Sequence, residues 1–146
     1  MKLFLGLSLT IFTLNSYAIE FTCGTMKGVQ SDYGNSTYFQ ESSISGKTYI
    51  EILSGGKLRV SYSSPYDSRT YIKDADIVNV NLSGRYHISF AIVQNTPLGD
   101  GKFNLKTESY VLNYSKKPYK LFTGIAKTNN LGGNAQAFVS DCTVKE

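Results

Sequence analysis

The chain of 146 residues contains no tryptophan, one histidine, two cysteines, two methionines and three prolines. A single histidine, His87, removes most histidine-based metal sites and leaves few groups that titrate near neutral pH. Two cysteines are too few for a zinc ribbon or an iron–sulfur cluster. No apolar run reaches the length of about 20 residues that a membrane-spanning helix needs. The longest, over residues 3–14, is broken by Ser8, Thr10 and Thr13. Charge is not concentrated either. Fifteen Lys and Arg against eleven Asp and Glu give a formal +4, and the densest basic group is Lys116-Lys117 with Lys120. Nucleic-acid binding calls for a clustered basic stripe with interleaved aromatics, so no nucleic-acid partner is expected. There is no Gly-x-Ser-x-Gly nucleophile elbow and no His-Glu-x-x-His zinc motif. No enzyme activity, catalytic residue, metal site or cofactor is expected on those grounds.

What is present begins with an export signal. Lys2 precedes the apolar run, and Ser16-Tyr17-Ala18 places small residues where a signal peptidase reads. Residues 1–18 are therefore the expected signal peptide, and residues 19–146 a single exported domain, secreted or periplasmic, with no membrane anchor after cleavage. About 128 residues suffice for one core and are too few for two. In an exported chain an isolated cysteine pair reads as a disulfide, here Cys23 to Cys142. Bridged cysteines need Cα atoms within about 7 Å, so the first and last strands must be neighbours.

Strand periodicity dominates the rest. Leu58, Val60 and Tyr62 alternate with Lys57, Arg59 and Ser61; Tyr86, Ile88, Phe90 and Ile92 with Arg85, His87, Ser89 and Ala91; Tyr119, Leu121, Thr123 and Ile125 with Lys120, Phe122, Gly124 and Ala126. Period two in Ile-, Val-, Thr- and Tyr-rich runs marks half-buried strands. Phe103 and Leu105 join Tyr110 and Leu112 on one face only if parity shifts once, which predicts a bulge near Glu108 and Ser109. Ser54-Gly55-Gly56, Ser83-Gly84, the Pro97 to Gly101 stretch, Lys116-Lys117-Pro118 and the glycine-rich stretch 129–134 separate the runs. About eight antiparallel strands with first beside last describe an all-β, lipocalin-like up-and-down barrel closed by the first-to-last-strand disulfide. A two-sheet sandwich is the alternative.

Residues 30–46 break the rhythm. They are polar, with Tyr33, Tyr38 and Phe39 among Ser, Gly and Asn. That is the composition of adaptable binding loops, and a long surface loop is expected here. Asp74 and Asp76 share a face at strand spacing, though without a calcium-loop pattern.

Phe21-Thr22-Cys23 at the start, Ser83-Gly84-Arg85-Tyr86, and Tyr119 to Gly124 followed by Ser140-Asp141-Cys142 resemble segments of the periplasmic inhibitors of c-type lysozyme. Those are small secreted or lipid-anchored β-barrels with one cysteine in the first strand and another in the last. The resemblance implies an inhibitor of a secreted hydrolase, with Ser83 as the loop serine that enters the partner's cleft. Gly124 stands where that family carries a lysine after Ser or Thr.

The expectation from sequence is an exported, monomeric, non-enzymatic binding module. It would act through loops at one barrel end, with Tyr33, Tyr38, Phe39, Ser83, Arg85 and Tyr86 as candidate contacts. A secreted or envelope protein or a glycan is the expected partner. A hydrolase inhibitor, or a lipocalin-like carrier of a small apolar ligand, are the alternatives.

Overall fold

The computed structural model describes residues 19–32, 35–129 and 132–145, with the backbone alone at 32 and 35–38. The expected signal peptide and Tyr33 lie outside the described residues. The chain folds into β1 (Ile19–Cys23), β2 (Met26–Asp32), β3 (Asn35–Ile44), β4 (Lys47–Leu53), β5 (Lys57–Ser63), β6 (Thr70–Tyr71), a 3-10 turn (Asp74–Asp76), β7 (Ile77–Asn81), β8 (His87–Gly99), β9 (Lys102–Asn113), β10 (Tyr119–Asn129) and β11 (Gly132–Lys145). All ladders are antiparallel.

The strands form one sheet in the order β6-β5-β4-β1-β11-β10-β9-β8-β7. β11 is long enough to pair β10 along one edge and two strands along the other: β1 through Cys142 to Lys145, and β2 through Gln136 to Val139. The β2–β3 hairpin is thus an arm laid beside the upper part of β11. Cys23 and Cys142 stand directly opposite in the β1–β11 ladder and form a disulfide, with Cα atoms 4.0 Å apart.

The sheet curls so that β5 faces β9, as the contact of Tyr62 with Glu108 and Tyr110 requires. Within the curl, Ile50, Val60, Ile88, Leu112 and Leu121 are almost wholly buried, and Phe90 stacks on Tyr110 with ring centroids 4.8 Å apart. Phe21 packs edge-on to Tyr119 at 6.1 Å. All these positions follow from strict alternation, which sends every second side chain to one face. The Ser54-Gly55-Gly56 hairpin forms as its sequence predicts, because Gly55 and Gly56 take φ of +79° and +74°, where side chains are disfavoured.

The expected closed barrel is not formed. The main strand path ends at β6 and β7, and no ladder joins them among the described residues. The physical reason lies in residues 64–69. Ser64 Oγ donates to Asp67 Oδ2 at 2.7 Å and accepts from the backbone N–H of Asp67 at 3.1 Å, making a turn that stands alone. Arg69 is then drawn across the outer face by Glu20 at 2.8 Å and Glu51 at 3.1 Å. Pairing with β5 is short, Thr70 and Tyr71 in the ladder and the Ile72 N–H donating to the Val60 carbonyl at 2.9 Å, before Asp74–Asp76 turns the chain toward β7. The sheet is also continuous, so the two-sheet alternative does not describe it.

Two further expectations are corrected. Residues 30–46 are not a loop. They run mostly as the end of β2 and the whole of β3, with Gln30 opposite Gln40 and Gly28 opposite Ser42. No bulge exists near Glu108 and Ser109 either. The β9 register runs unbroken from Asn104 to Asn113 against both β8 and β10. Parity never shifts; the character of the inner face does.

Candidate concave polar site

Cross-strand rows show what the unbroken register does. Deep in the curl, Ile88 lies opposite Leu112, and Leu112 opposite Leu121. Two rungs up, Ile92, Glu108, Ile125 and Gln136 form one row across β8, β9, β10 and β11. The next row is Gln94, Lys106, Lys127 and Asn134, and the one beyond holds Thr96, Asn104 and Asn129. The inward face therefore turns from apolar to polar at Glu108. The outward face shows no such switch: exposed apolar side chains stand on it both below the boundary, at Val111, Phe122 and Val139, and above it, at Val93 and Phe103. β4 and β5 end opposite this boundary, so the polar rows lie in the open half of the curl.

The boundary is built from the buried Glu108 and Tyr110 and the half-buried Tyr62. Glu108 is only 3% exposed and lies 2.7 Å from the Lys106 ammonium. Tyr62 donates its hydroxyl hydrogen to Glu108 Oε2 at 3.2 Å, and the Tyr62 and Tyr110 hydroxyls are 2.6 Å apart. With Tyr62 donating to the carboxylate, Tyr110 donates to Tyr62, giving a relay that ends on the negative charge. Burial first, then the Glu108 charge, pushes the Tyr62 phenol far above its ordinary range. Burial, then the adjoining Tyr62 and Glu108, does the same to Tyr110. Both stay neutral donors at any physiological pH.

Above this floor are two hollows. One of about 340 Å³ is lined by Met26, Ile44, Lys47, Thr48, Tyr62 and Glu108, among others. The other, about 310 Å³, is lined by Gln94, Thr96, Asn104 and Asn129. Lys106 and Lys127 line both, so the hollows adjoin along that row. Each is at the lower end of the sizes that hold small ligands, about 300–1,000 Å³. Lys106 and Lys127 are directly opposite, an arrangement that is unfavourable for like charges. Glu108 compensates Lys106, while Lys127 makes no ion pair among the described residues. Buried acceptors Asn134 Oδ1 and Gln136 Oε1 also lack a partner there.

No family model, curated protein or solved structure matches this chain.

The residues expected from sequence to make contacts fall at two ends. Ser83, Arg85 and Tyr86 lie in the loop before His87, which pairs with Asn113 at the start of the β8–β9 ladder. Ser83 is exposed, with its N–H and hydroxyl both bonded to Asn81 Oδ1, and the Arg85 guanidinium sits 5.1 Å from the Tyr86 ring centroid. Phe39 lies on β3 at the opposite end, 60% exposed; Tyr38 is on the same strand. The structure does not bring the two groups together. Thr123 is buried on the inner face of β10, away from the Ser83 loop. Asp74 and Asp76 occupy a 3-10 turn rather than one strand face, and Asp76 Oδ2 accepts from Gln94 Nε2 at 3.4 Å.

Sequence reading missed Glu108, Lys106, Lys127 and the amide rows. The signal that marks them is the switch in hydrophobic alternation between Leu105 and Tyr110, which records the change of the inner face from apolar to polar.

Proposed function

We propose that this chain is an exported, non-enzymatic binding module whose ligand lies on the concave polar face of β8 to β11. The observation that carries the reading is the row Gln94–Lys106–Lys127–Asn134, turned inward where a folding core would place apolar side chains. Lining a concavity with polar groups costs stability unless they meet a partner, and convergent polar groups in a hollow are the usual sign of a binding site. The export reading has two supports: the Ser16-Tyr17-Ala18 site and the Cys23–Cys142 disulfide, a bond that persists in oxidising compartments. The non-enzymatic reading is supported by the commitment of Glu108 to Lys106 and Tyr62, and by the place of His87 at the opposite end of the ladder.

A test compares two triple variants on an array of immobilised glycans and peptides. Gln94, Lys127 and Asn129 changed together to alanine should abolish binding. Ser83, Arg85 and Tyr86 changed together should leave it intact. The reverse pattern would move the site to the 82–86 loop and favour the hydrolase-inhibitor reading, which that exposed loop supports. The carrier reading has the least support, because large side chains fill the apolar part of the curl.

A further inference from the structure

The polar rows have a chemistry that selects among ligands. Gln94, Thr96, Asn104 and Asn129 present groups that donate or accept, often both from one side chain. Such a lining suits a ligand whose own groups do both, as sugar hydroxyls do. A peptide bound by a sheet uses backbone ladders along an edge and apolar pockets for alternate side chains, and the inner face of the polar rows offers neither. The charges add a second selection. Lys106 and Lys127 against Glu108 leave one positive charge, Lys106 faces Lys127 across the β9–β10 ladder, and Asp76, which bonds Gln94 at the β8 end of the row, makes no ion pair with either lysine among the described residues. A single carboxylate between the two ammonium groups would remove that repulsion and form charge-assisted hydrogen bonds. Lys47, at the rim of the neighbouring hollow, adds attraction at longer range. With rows about 6.8 Å apart and strands about 4.8 Å apart, the surface accommodates about two or three sugar units.

We propose that the concave face binds an oligosaccharide carrying carboxylate groups, with one carboxylate held between Lys106 and Lys127. This rests on the concave face being the binding site. The test is titration calorimetry of the purified mature domain with a panel of acidic oligosaccharides: oligogalacturonate, oligoalginate, hyaluronan hexamer and muramic-acid-containing glycan fragments. Their carboxyl-reduced counterparts and short poly-glutamate serve as comparators. At least one acidic glycan should bind, its reduced form about tenfold or more weaker. Lys127→Gln should weaken binding of the acidic form about tenfold to hundredfold and remove most of its advantage over the reduced form, with Lys127→Arg restoring much of the loss. Raising salt should weaken binding.

Equal binding of acidic and reduced forms, or no binding of any panel member, would overturn the proposal. Binding of poly-glutamate alone would overturn the saccharide class while leaving the concave site standing. Binding that survives the Gln94, Lys127 and Asn129 triple variant and is lost with the Ser83, Arg85 and Tyr86 variant would overturn both.

Discussion

Replacing Glu108 by alanine tests the placement of the whole polar surface. In the structure this carboxylate is buried, 2.7 Å from Lys106 and 3.2 Å from the Tyr62 hydroxyl. Removing one member of a fully buried ion pair costs about 3–5 kcal/mol. The Lys106 side chain is 35% exposed, so water compensates part of its loss. Tyr62 keeps Tyr110 as a partner, and the small cavity adds a little. The expected loss is about 2–3 kcal/mol. For a domain of this size that lowers Tm by about 10 °C. Glu108→Gln keeps an acceptor for Tyr62 and should lose roughly half as much. The neighbour Ser109 faces outward and is exposed, so Ser109→Ala should stay within about 0.5 kcal/mol of wild type. Urea denaturation and thermal melting of the three variants measure this. If Glu108→Ala were as neutral as Ser109→Ala, the carboxylate would be on the surface and the continuous register of β9 would be wrong.

Three other outcomes follow from the same structure. Tyr62 and Tyr110 have raised phenol pKa values in the fold and ordinary values near 10 when unfolded. The unfolded state therefore releases protons first, so stability is full below about pH 10 and falls as pH rises beyond it. Absorbance at 295 nm should show these two phenols ionising only with unfolding, and Tyr62→Phe should shallow the alkaline loss. Gly28→Ala would set a Cβ 1.9 Å from the Ala137 carbonyl oxygen, forcing the β2–β3 arm off β11 at a cost of about 1–3 kcal/mol; hydrogen exchange should speed in β2 while β9 and β10 stay protected. Replacing both Cys23 and Cys142 by alanine opens a loop whose ends are 119 residues apart. The entropy lost from the unfolded chain predicts up to about 5 kcal/mol of destabilisation, read from equilibrium unfolding.

The lower half of the molecule was legible because burial there obeys one rule. Leu58 and Val60, Ile88, Phe90 and Ile92, and Leu121 and Ile125 alternate on a face that excludes water, and all are buried. The cysteine pair correctly places β1 beside β11, since a disulfide is a distance constraint carried in the sequence. Closure was not legible. Whether β6 and β7 meet depends on how Ser64, Asp67 and Arg69 hold one turn, and hydrophobic period says nothing about that. Residues 30–46 looked like a loop because Gln30, Gln40 and Ser42 sit on the concave side and the arm has no apolar stripe to report its period. The same ambiguity hid the site. Hydrophobicity alone sends Phe103 and Leu105 to the same face as Tyr110, which requires a bulge between them. Phe103 is in fact 38% exposed, and Lys106 takes the inward place.

The most direct measurement of the central claim is side-chain amide NMR of the labelled protein spanning residues 19–146, titrated with whichever acidic glycan binds. The NH₂ resonances of Gln94, Asn104, Asn129 and Gln136 should shift together and saturably, because all four face the concave side. Those of Asn95 and Asn113, on the opposite face, should remain still. Shifts confined to Asn95, Asn113 or the 82–86 loop, with the inward amides unmoved, would contradict the account.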